Sequence, residues 1–205
     1  MSELHLYSYQ TCPFARRTRM TLLEKGLDFK LTEIDVLNKP DDFSEISPYG
    51  KVPVLLHDGG RIYESAIINE YIDERFPEPP LMPADPLRRA EARIWMDYCA
   101  HNFSAASGAM RMAENAEQKQ IAQKALRECM LYIEHEGLRK LSDGPFWLGE
   151  TISLIDIQFM PFFQSRLNND RAEIPAECTQ LHSWLDSMVN RPSWLATTYD
   201  QPDQP

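Results

Sequence analysis

The chain has 205 residues, 43% hydrophobic and 25% charged, with 15 prolines and 8 glycines. This is a globular composition, which excludes disordered and collagen-like classes and leaves room for one large or two small domains with real cores. Lys plus Arg number 21 against 31 Asp plus Glu, a net charge of −10, so nonspecific attraction to nucleic acid or anionic lipid is not the expected business of this chain.

Leu4-His5-Leu6-Tyr7-Ser8 alternates with the period of a strand. Pro13 to Lys25 reads as a helix, with Pro13 at its first position and Gly26 as its terminator. Phe29 to Val36 is a second strand. Val52 to Leu56 and Arg61 to Tyr63 are two more, joined through Asp58-Gly59-Gly60, and Ser65 opens a helix that runs to Phe76. The order β-α-β, an undetermined segment, then β-β-α predicts a mixed sheet with helices packed on it, a topology that resembles thioredoxin. Residues 79–86 form a proline-rich linker, since proline continues neither a helix nor a central strand. Beyond it the sequence is helix-like, over roughly 87–114, 117–141, 153–168 and 178–190. Ser153 and Asp156 form a capping-box pattern. The expected domains are 1–78 and an all-helical 87–205, with a polar, frayed tail from Asp200 to Pro205.

The opening segment does not read as a secretory signal, and no window approaches the roughly 20 apolar residues of a membrane span. The four cysteines, Cys12, Cys99, Cys129 and Cys178, are scattered, with neither a C-x-x-C pair nor Cys/His ligand spacing. No disulfide framework and no metal site is expected, and the expected compartment is the cytoplasm.

Cys12 is the residue best placed for chemistry. The thiolate is the nucleophile, and a free cysteine has a pKa near ~8.5. At a helix N-terminus, unpaired N–H groups and the helix dipole favour the anion. Arg16, Arg17 and Arg19 add positive charge within two turns, so the expectation is a lowered pKa. Ala15 stands where the second cysteine of a dithiol motif belongs, which leaves a monothiol cycle resolved by an outside thiol. The competing reading is a small buried cysteine followed by a proline that merely starts a helix.

Three segments together resemble the cytosolic glutathione transferase superfamily: Tyr9 to Arg19 (YQTCPFARRTR), Lys51-Val52-Pro53-Val54-Leu55, and Ile62 to Tyr71 (IYESAIINEY). The similarity is greatest to omega-class and related bacterial members that use a cysteine. The resemblance implies a thioredoxin-like N-terminal domain, an all-helical C-terminal domain and a homodimer. It implies glutathione as co-substrate, with Cys12 meeting the glutathione sulfur and Phe14 beside it. By position, Lys39 contacts the glycine carboxylate, and Val52, before a cis Pro53, pairs with the cysteinyl backbone. Glu64 and Ser65 hold the γ-glutamyl end. Taken singly, Lys39 reads as a solvated charge, Ser65 as a helix cap and Val-Pro as a strand end. Their coincidence with Cys12 favours the enzyme. The reaction expected is thiol transfer or reduction, as in a thioltransferase or dehydroascorbate reductase, on a small electrophilic or disulfide substrate, with no nucleic acid and no membrane involved.

Residues 76–93 also resemble the stringent starvation protein A family, relatives that bind RNA polymerase without catalysis; the bacterial β-etherases and a ligand carrier are further alternatives. In the helical part, Tyr98, His101, Phe103, Met110 and Met112 fall where the family forms its acceptor pocket, although such residues at helical spacing also build cores. Trp147 and Trp184 read as packing, Asp156 as a cap, and Cys178 as the most exposed of the three remaining cysteines.

Overall fold

A strand, a helix and a second strand need only an alternating run, a helix start and a stop, and the first 33 residues supply all three. The computed structural model describes residues 3–168 and 174–199. Strand β1, Leu4–Ser8, buries Leu4, Leu6 and Ser8 and leaves His5 and Tyr7 partly exposed. Helix α1, Pro13–Glu24, follows an extended Cys12, and Pro13 occupies its first turn, where a missing N–H costs nothing. Gly26, at φ 62°, then turns the chain out of the helix in the left-handed conformation that glycine tolerates.

Strand β2, Phe29–Glu33, pairs in parallel with β1. It stops short of the expected Val36 because the Asp35 carboxylate accepts the Leu37 and Asn38 N–H groups and bends the chain. A short helix, α2 (Phe43–Ile46), occupies the undetermined segment. Strand β3, Val54–His57, lies antiparallel to β1, and β4, Gly60–Tyr63, lies antiparallel to β3, giving the order β2-β1-β3-β4. Asp58 and Gly59, at φ 50° and 74°, form the tight turn whose twist suits a hairpin. Helix α3, Ser65–Arg75, completes this part. Leu4, Leu6 and Leu55 of the sheet form one core with Leu22 of α1 and Ile68 and Ile72 of α3. Lys25 is buried; its ammonium donates to the carbonyls of Phe76 (2.8 Å) and Pro79 (2.5 Å) and pairs with Asp73. One lysine therefore secures the end of α3 and the start of the proline-rich segment.

The described chain divides into two compact units, one running to Pro80 and resumed from Arg191, the other Leu81–Asn190. The second is helical. Its elements are α4 (Pro86–Tyr98), α5 (Ser104–Arg111), α6 (Ala116–Tyr132), α7 (Arg139–Leu141), α8 (Leu154–Phe159), α9 (Gln164–Asn168) and α10 (Thr179–Met188). The first three long helices of the sequence reading are present but interrupted. π-helical turns at Cys99–Phe103 and Ile133–Leu138 and a 3-10 turn at Met160–Phe163, which contains Pro161, break them. Hydrophobic periodicity does not separate a π turn from an α turn. Trp147 is fully buried, stacked on Phe159 with ring centroids 4.9 Å apart. Gly137 lies so close that a Cβ there would fall 2.7 Å from the Trp147 ring.

The Ser153–Asp156 capping box forms as the sequence indicates. The buried carboxylate of Glu134 accepts the Leu181 and Gln180 N–H groups of α10 at 2.9 and 3.2 Å and Arg139 Nε at 2.7 Å. Burial opposes its ionisation, but the Leu181 N–H, Arg139 and the Gln180 N–H together hold it below the usual carboxylate range. Cys178 is fully buried, not exposed as expected, and burial, with Glu134 and Glu177 nearby, pushes its thiol up to about 11.

Helix α11 (Pro192–Leu195) belongs with the sheet-containing unit rather than the helical one. Arg191 grips Glu24 of α1 through two hydrogen bonds (2.8 and 2.6 Å), and Ser193 donates to the same carboxylate. These partners lie more than 160 positions apart, beyond the reach of any local pattern. The tail from Asp200 lies outside the described residues.

Candidate active site

The sheet-containing unit holds a cavity of about 210 Å³ built by four short segments. Phe14 comes from the first turn of α1, Ser47, Tyr49 and Lys51 from the loop after α2, Val52 and Pro53 from the approach to β3, and Tyr63, Glu64 and Ser65 from the junction of β4 and α3. Five of the seven residues singled out in the sequence therefore line one cavity. Cys12 is two residues from Phe14, half-buried and outside the lining; Lys39 is exposed and is not part of it either. Sequence reasoning missed Ser47, Tyr49, Lys51 and Tyr63. The signal for Lys51 was its place beside Val52 and Pro53; the others depend on how the loop folds.

That loop is fixed by Ser47, whose hydroxyl donates to the Lys51 carbonyl (2.7 Å) and accepts the Lys51 N–H (2.9 Å). Tyr49 and Tyr63 meet edge to face at 4.9 Å. The Val52–Pro53 bond is cis. Among the described residues Val52 makes no backbone–backbone hydrogen bond, so its N–H and C=O are available to an extended peptide. Glu64, at φ 69° and ψ 111°, is held in a strained conformation for a side-chain-bearing residue. Such outliers cost on the order of 1–3 kcal/mol and concentrate at functional sites. Glu64, rather than Ser65, is the capping residue of α3; Ser65 is its first helical residue, so its N–H is among those the helix leaves unpaired. Neither Lys51 nor Glu64 is ion-paired among the described residues. The cavity thus presents one cation, one anion, a free backbone edge and a helix N-terminus.

The surroundings of Cys12 differ from the expectation in one respect. Burial is the largest influence and pushes the thiol up, against the pull of the Ala15 and Phe14 N–H groups and the charges of Arg17 and Arg19. The three arginines are not a solvated positive fringe, since all are buried. Arg17 donates to the Ser65 hydroxyl at 3.4 Å and lies over the Phe14 ring. Arg19 reaches the Gln10 carbonyl (2.8 Å) and Glu33 (3.1 Å). Burial lowers Arg16 to about 10, with Tyr199 favouring the charged form. Charge placed inside the protein stabilises a nearby anion only after repaying the desolvation of that anion.

A four-stranded sheet with helices packed on it, followed by a helical unit, is the two-part architecture of the glutathione transferases, and the comparisons agree. The family model described as "Glutathione S-transferase, N-terminal domain" matches residues 6–80. Glutathione S-transferase U28 of Arabidopsis thaliana is 32% identical over 202 residues, covering 96% of this chain and 88% of its own length. Glutathione S-transferase omega-1 of Rattus norvegicus is 31% identical, covering 98% and 78%. Among solved structures, the Tau class enzyme of mango (Mangifera indica) superposes with a TM-score of 0.87 at 30% identity, covering 97% and 93%. Rice GST1, solved in complex with glutathione, gives 0.83 at 28%, covering 96% and 90%. The chain belongs to the cytosolic glutathione transferase superfamily. Among the described residues no helix is long and apolar enough to cross a membrane, and no three His, Cys, Asp or Glu side chains converge as a metal site.

Proposed function

We propose that this protein is a cysteine-type, omega-like glutathione transferase that works in the cytoplasm as a homodimer and carries out glutathione-dependent thiol transfer through Cys12. The single observation that carries the reading is the cavity lined by Val52, Glu64, Ser65, Lys51 and Phe14, the last of these two residues along the chain from Cys12. Glutathione has a carboxylate at each end and one ammonium. Glu64 opposes the ammonium, the N-terminus of α3 with the Ser65 hydroxyl takes the adjacent carboxylate, and Val52 pairs with the central backbone. Lys51 lines the cavity and is assigned the far carboxylate, ahead of Lys39, which does not line it. Exposed Leu87 and Ile94 on α4 are apolar surface for a second copy to cover.

The chemistry follows from the single thiol. The Cys12 thiolate attacks the glutathione sulfur of a mixed disulfide; the S–S bond breaks, the substrate leaves as a thiol after gaining a proton, and glutathione remains on Cys12. A second glutathione thiolate attacks that adduct, releasing oxidised glutathione and restoring Cys12. The substrate sulfur is reduced to a thiol and one glutathione is oxidised, leaving joined to the substrate's own glutathionyl group as oxidised glutathione. The alternative, an RNA-polymerase-associated regulator, draws no support from the cavity, for which a surface adaptor has no use. Retention on glutathione resin tests the choice. Specific co-purification of RNA polymerase with no retention on the resin would reverse it.

Two variants probe the binding assignments by titration calorimetry. Lys51→Ala is expected to weaken glutathione binding about tenfold, the worth of one charge-assisted contact, while Lys39→Ala changes it less than about twofold. Equal losses would return Lys39 to the site. Glu64→Gly relieves the positive φ while removing the carboxylate, so the expected result is an unchanged or raised melting temperature together with a loss of glutathione affinity of at least about tenfold. A lowered melting temperature with binding intact would mean that Glu64 serves the fold instead.

A further inference from the structure

The turn that delivers the Cys12 sulfur has each of its four carbonyl oxygens engaged by a different donor. The Cys12 N–H donates to the Tyr9 carbonyl at 3.1 Å, and the Arg16 N–H donates to the Cys12 carbonyl at 2.9 Å. Arg19 Nη2 donates to the Gln10 carbonyl at 2.8 Å. The Thr11 carbonyl accepts the Tyr199 hydroxyl at 3.4 Å. Three of these donors belong to the turn or to α1; the fourth comes from 188 positions away.

Tyr199 is placed by more than that contact. Arg191 and Ser193 anchor the returning segment on Glu24. The Arg16 guanidinium lies 4.3 Å from the Trp194 ring centre and 5.1 Å from that of Tyr199. Arg16 is fully buried, and among the described residues none of its three side-chain nitrogens makes a hydrogen bond. A desolvated cation is costly, and the aromatic ring faces, with the polar end of Tyr199, compensate it. Trp194 and Tyr199 supply that compensation, and the second ring carries its hydroxyl to the carbonyl next to Cys12.

We infer that Tyr199 is a positioning residue for Cys12, and that the segment Arg191–Tyr199 is a strap that fixes the orientation of the thiol. As an account of catalysis this rests on the reading of Cys12 as the nucleophile; as an account of the turn it stands without it. The charged and titratable groups around the turn are Arg16, Arg17 and Arg19 of α1, Glu33 of β2 and Tyr199 itself. Tyr199→Phe removes the hydroxyl without altering any charge at neutral pH, so a change in Cys12 reactivity reports position rather than field.

The test uses the full chain. The rate of Cys12 alkylation by iodoacetamide is followed by mass spectrometry of the Cys12 peptide, beside kcat, KM for glutathione and the melting temperature. For Tyr199→Phe the expected result is alkylation at least about threefold faster, as the loosened turn uncovers the thiol, with the melting temperature preserved. The same variant should lower kcat about tenfold with KM within about twofold, because misplacement of a nucleophile is felt in the chemical step. Tyr199→Ala, which also uncovers Arg16, should alkylate faster still; if it fails to fold, the phenylalanine variant decides. Alkylation and kcat both unchanged in Tyr199→Phe would overturn the inference. Faster alkylation of Tyr199→Phe in a protein whose wild type shows no turnover would uphold the strap and remove the proposed reaction.

Discussion

Cys12→Ala is expected to abolish glutathione-dependent reduction of a mixed disulfide, by at least about a thousandfold in kcat/KM, while leaving the melting temperature and glutathione affinity nearly unchanged. The magnitude follows from the chemistry: no neighbouring side chain replaces the sulfur, since Ala15 holds the place of a second cysteine, and the remaining cysteines lie in the other unit. The small structural cost follows from position, since Cys12 precedes α1 in extended conformation and makes no side-chain cap for the helix. Mass spectrometry of wild-type protein treated with oxidised glutathione should find the adduct on Cys12 and on neither Cys99 nor Cys178, both of which are buried. Full turnover by the alanine variant would end the thiol-transfer reading and leave a cavity that binds glutathione for another purpose.

The direction of the Cys12 shift adds a pH dependence to the same experiment. A raised pKa means that the unliganded chain carries mostly thiol at neutral pH, and that the nucleophilic fraction increases as pH rises through and beyond the ordinary cysteine value. Alkylation of Cys12, and the attack on a disulfide, should therefore climb by nearly tenfold per pH unit between pH 7 and 8, without a plateau below about pH 9. The sequence alone suggests the opposite, because a helix N-terminus and three nearby arginines all favour the anion. What they omit is burial, which depends on everything packed around the turn. A plateau already reached near pH 6 would show that the helix N-terminus and the arginines prevail.

The contrast extends through the molecule. The strand-cysteine-proline-helix start is legible because it is set by neighbours within a few residues, an alternating run, a fixed proline φ and a helix start, whereas the Val-Pro cis bond and the Glu-Ser pair come with the family resemblance of the segments that carry them. They place five of the selected residues around one cavity. Lys39 enters through the family resemblance, whereas Lys51 reaches the cavity through the loop that the Ser47 hydrogen bonds close, which no local pattern announces. The burial of Arg16, Arg17 and Arg19 ran against the ordinary habit of arginine, and α11 returns to α1 through contacts with no local signature. The π turns in the helical unit escape for a different reason, since each widens a single turn by about one residue, too small a shift to show in an apolar pattern.

The largest effect on stability is expected at Asp156, the residue the sequence marks as a cap. Its carboxylate accepts four donors: the Trp147 N–H at 3.0 Å, the Ser153 N–H at 2.7 Å, the Ser153 hydroxyl at 2.6 Å and Trp184 Nε1 at 2.7 Å. Burial pushes this carboxyl up in pKa, and the Ser153 hydroxyl, the Trp147 N–H, Trp184 and the Ser153 N–H pull it back. Asp156→Ala strands the buried donors at about 1–3 kcal/mol for each group left unsatisfied, so a total of about 4 kcal/mol or more is expected. That is a large share of the roughly 5–15 kcal/mol that holds a typical domain. The measurement is urea unfolding followed by tryptophan fluorescence, because Trp147 and Trp184 both touch the site of change. Asp156→Asn tells whether charge or connectivity matters: an amide offers a single acceptor oxygen for four donors, so it should recover less than half of the lost stability. Recovery to wild type would mean that one or two of the four hydrogen bonds carry the cap and that the others are incidental to the packing of the two tryptophans.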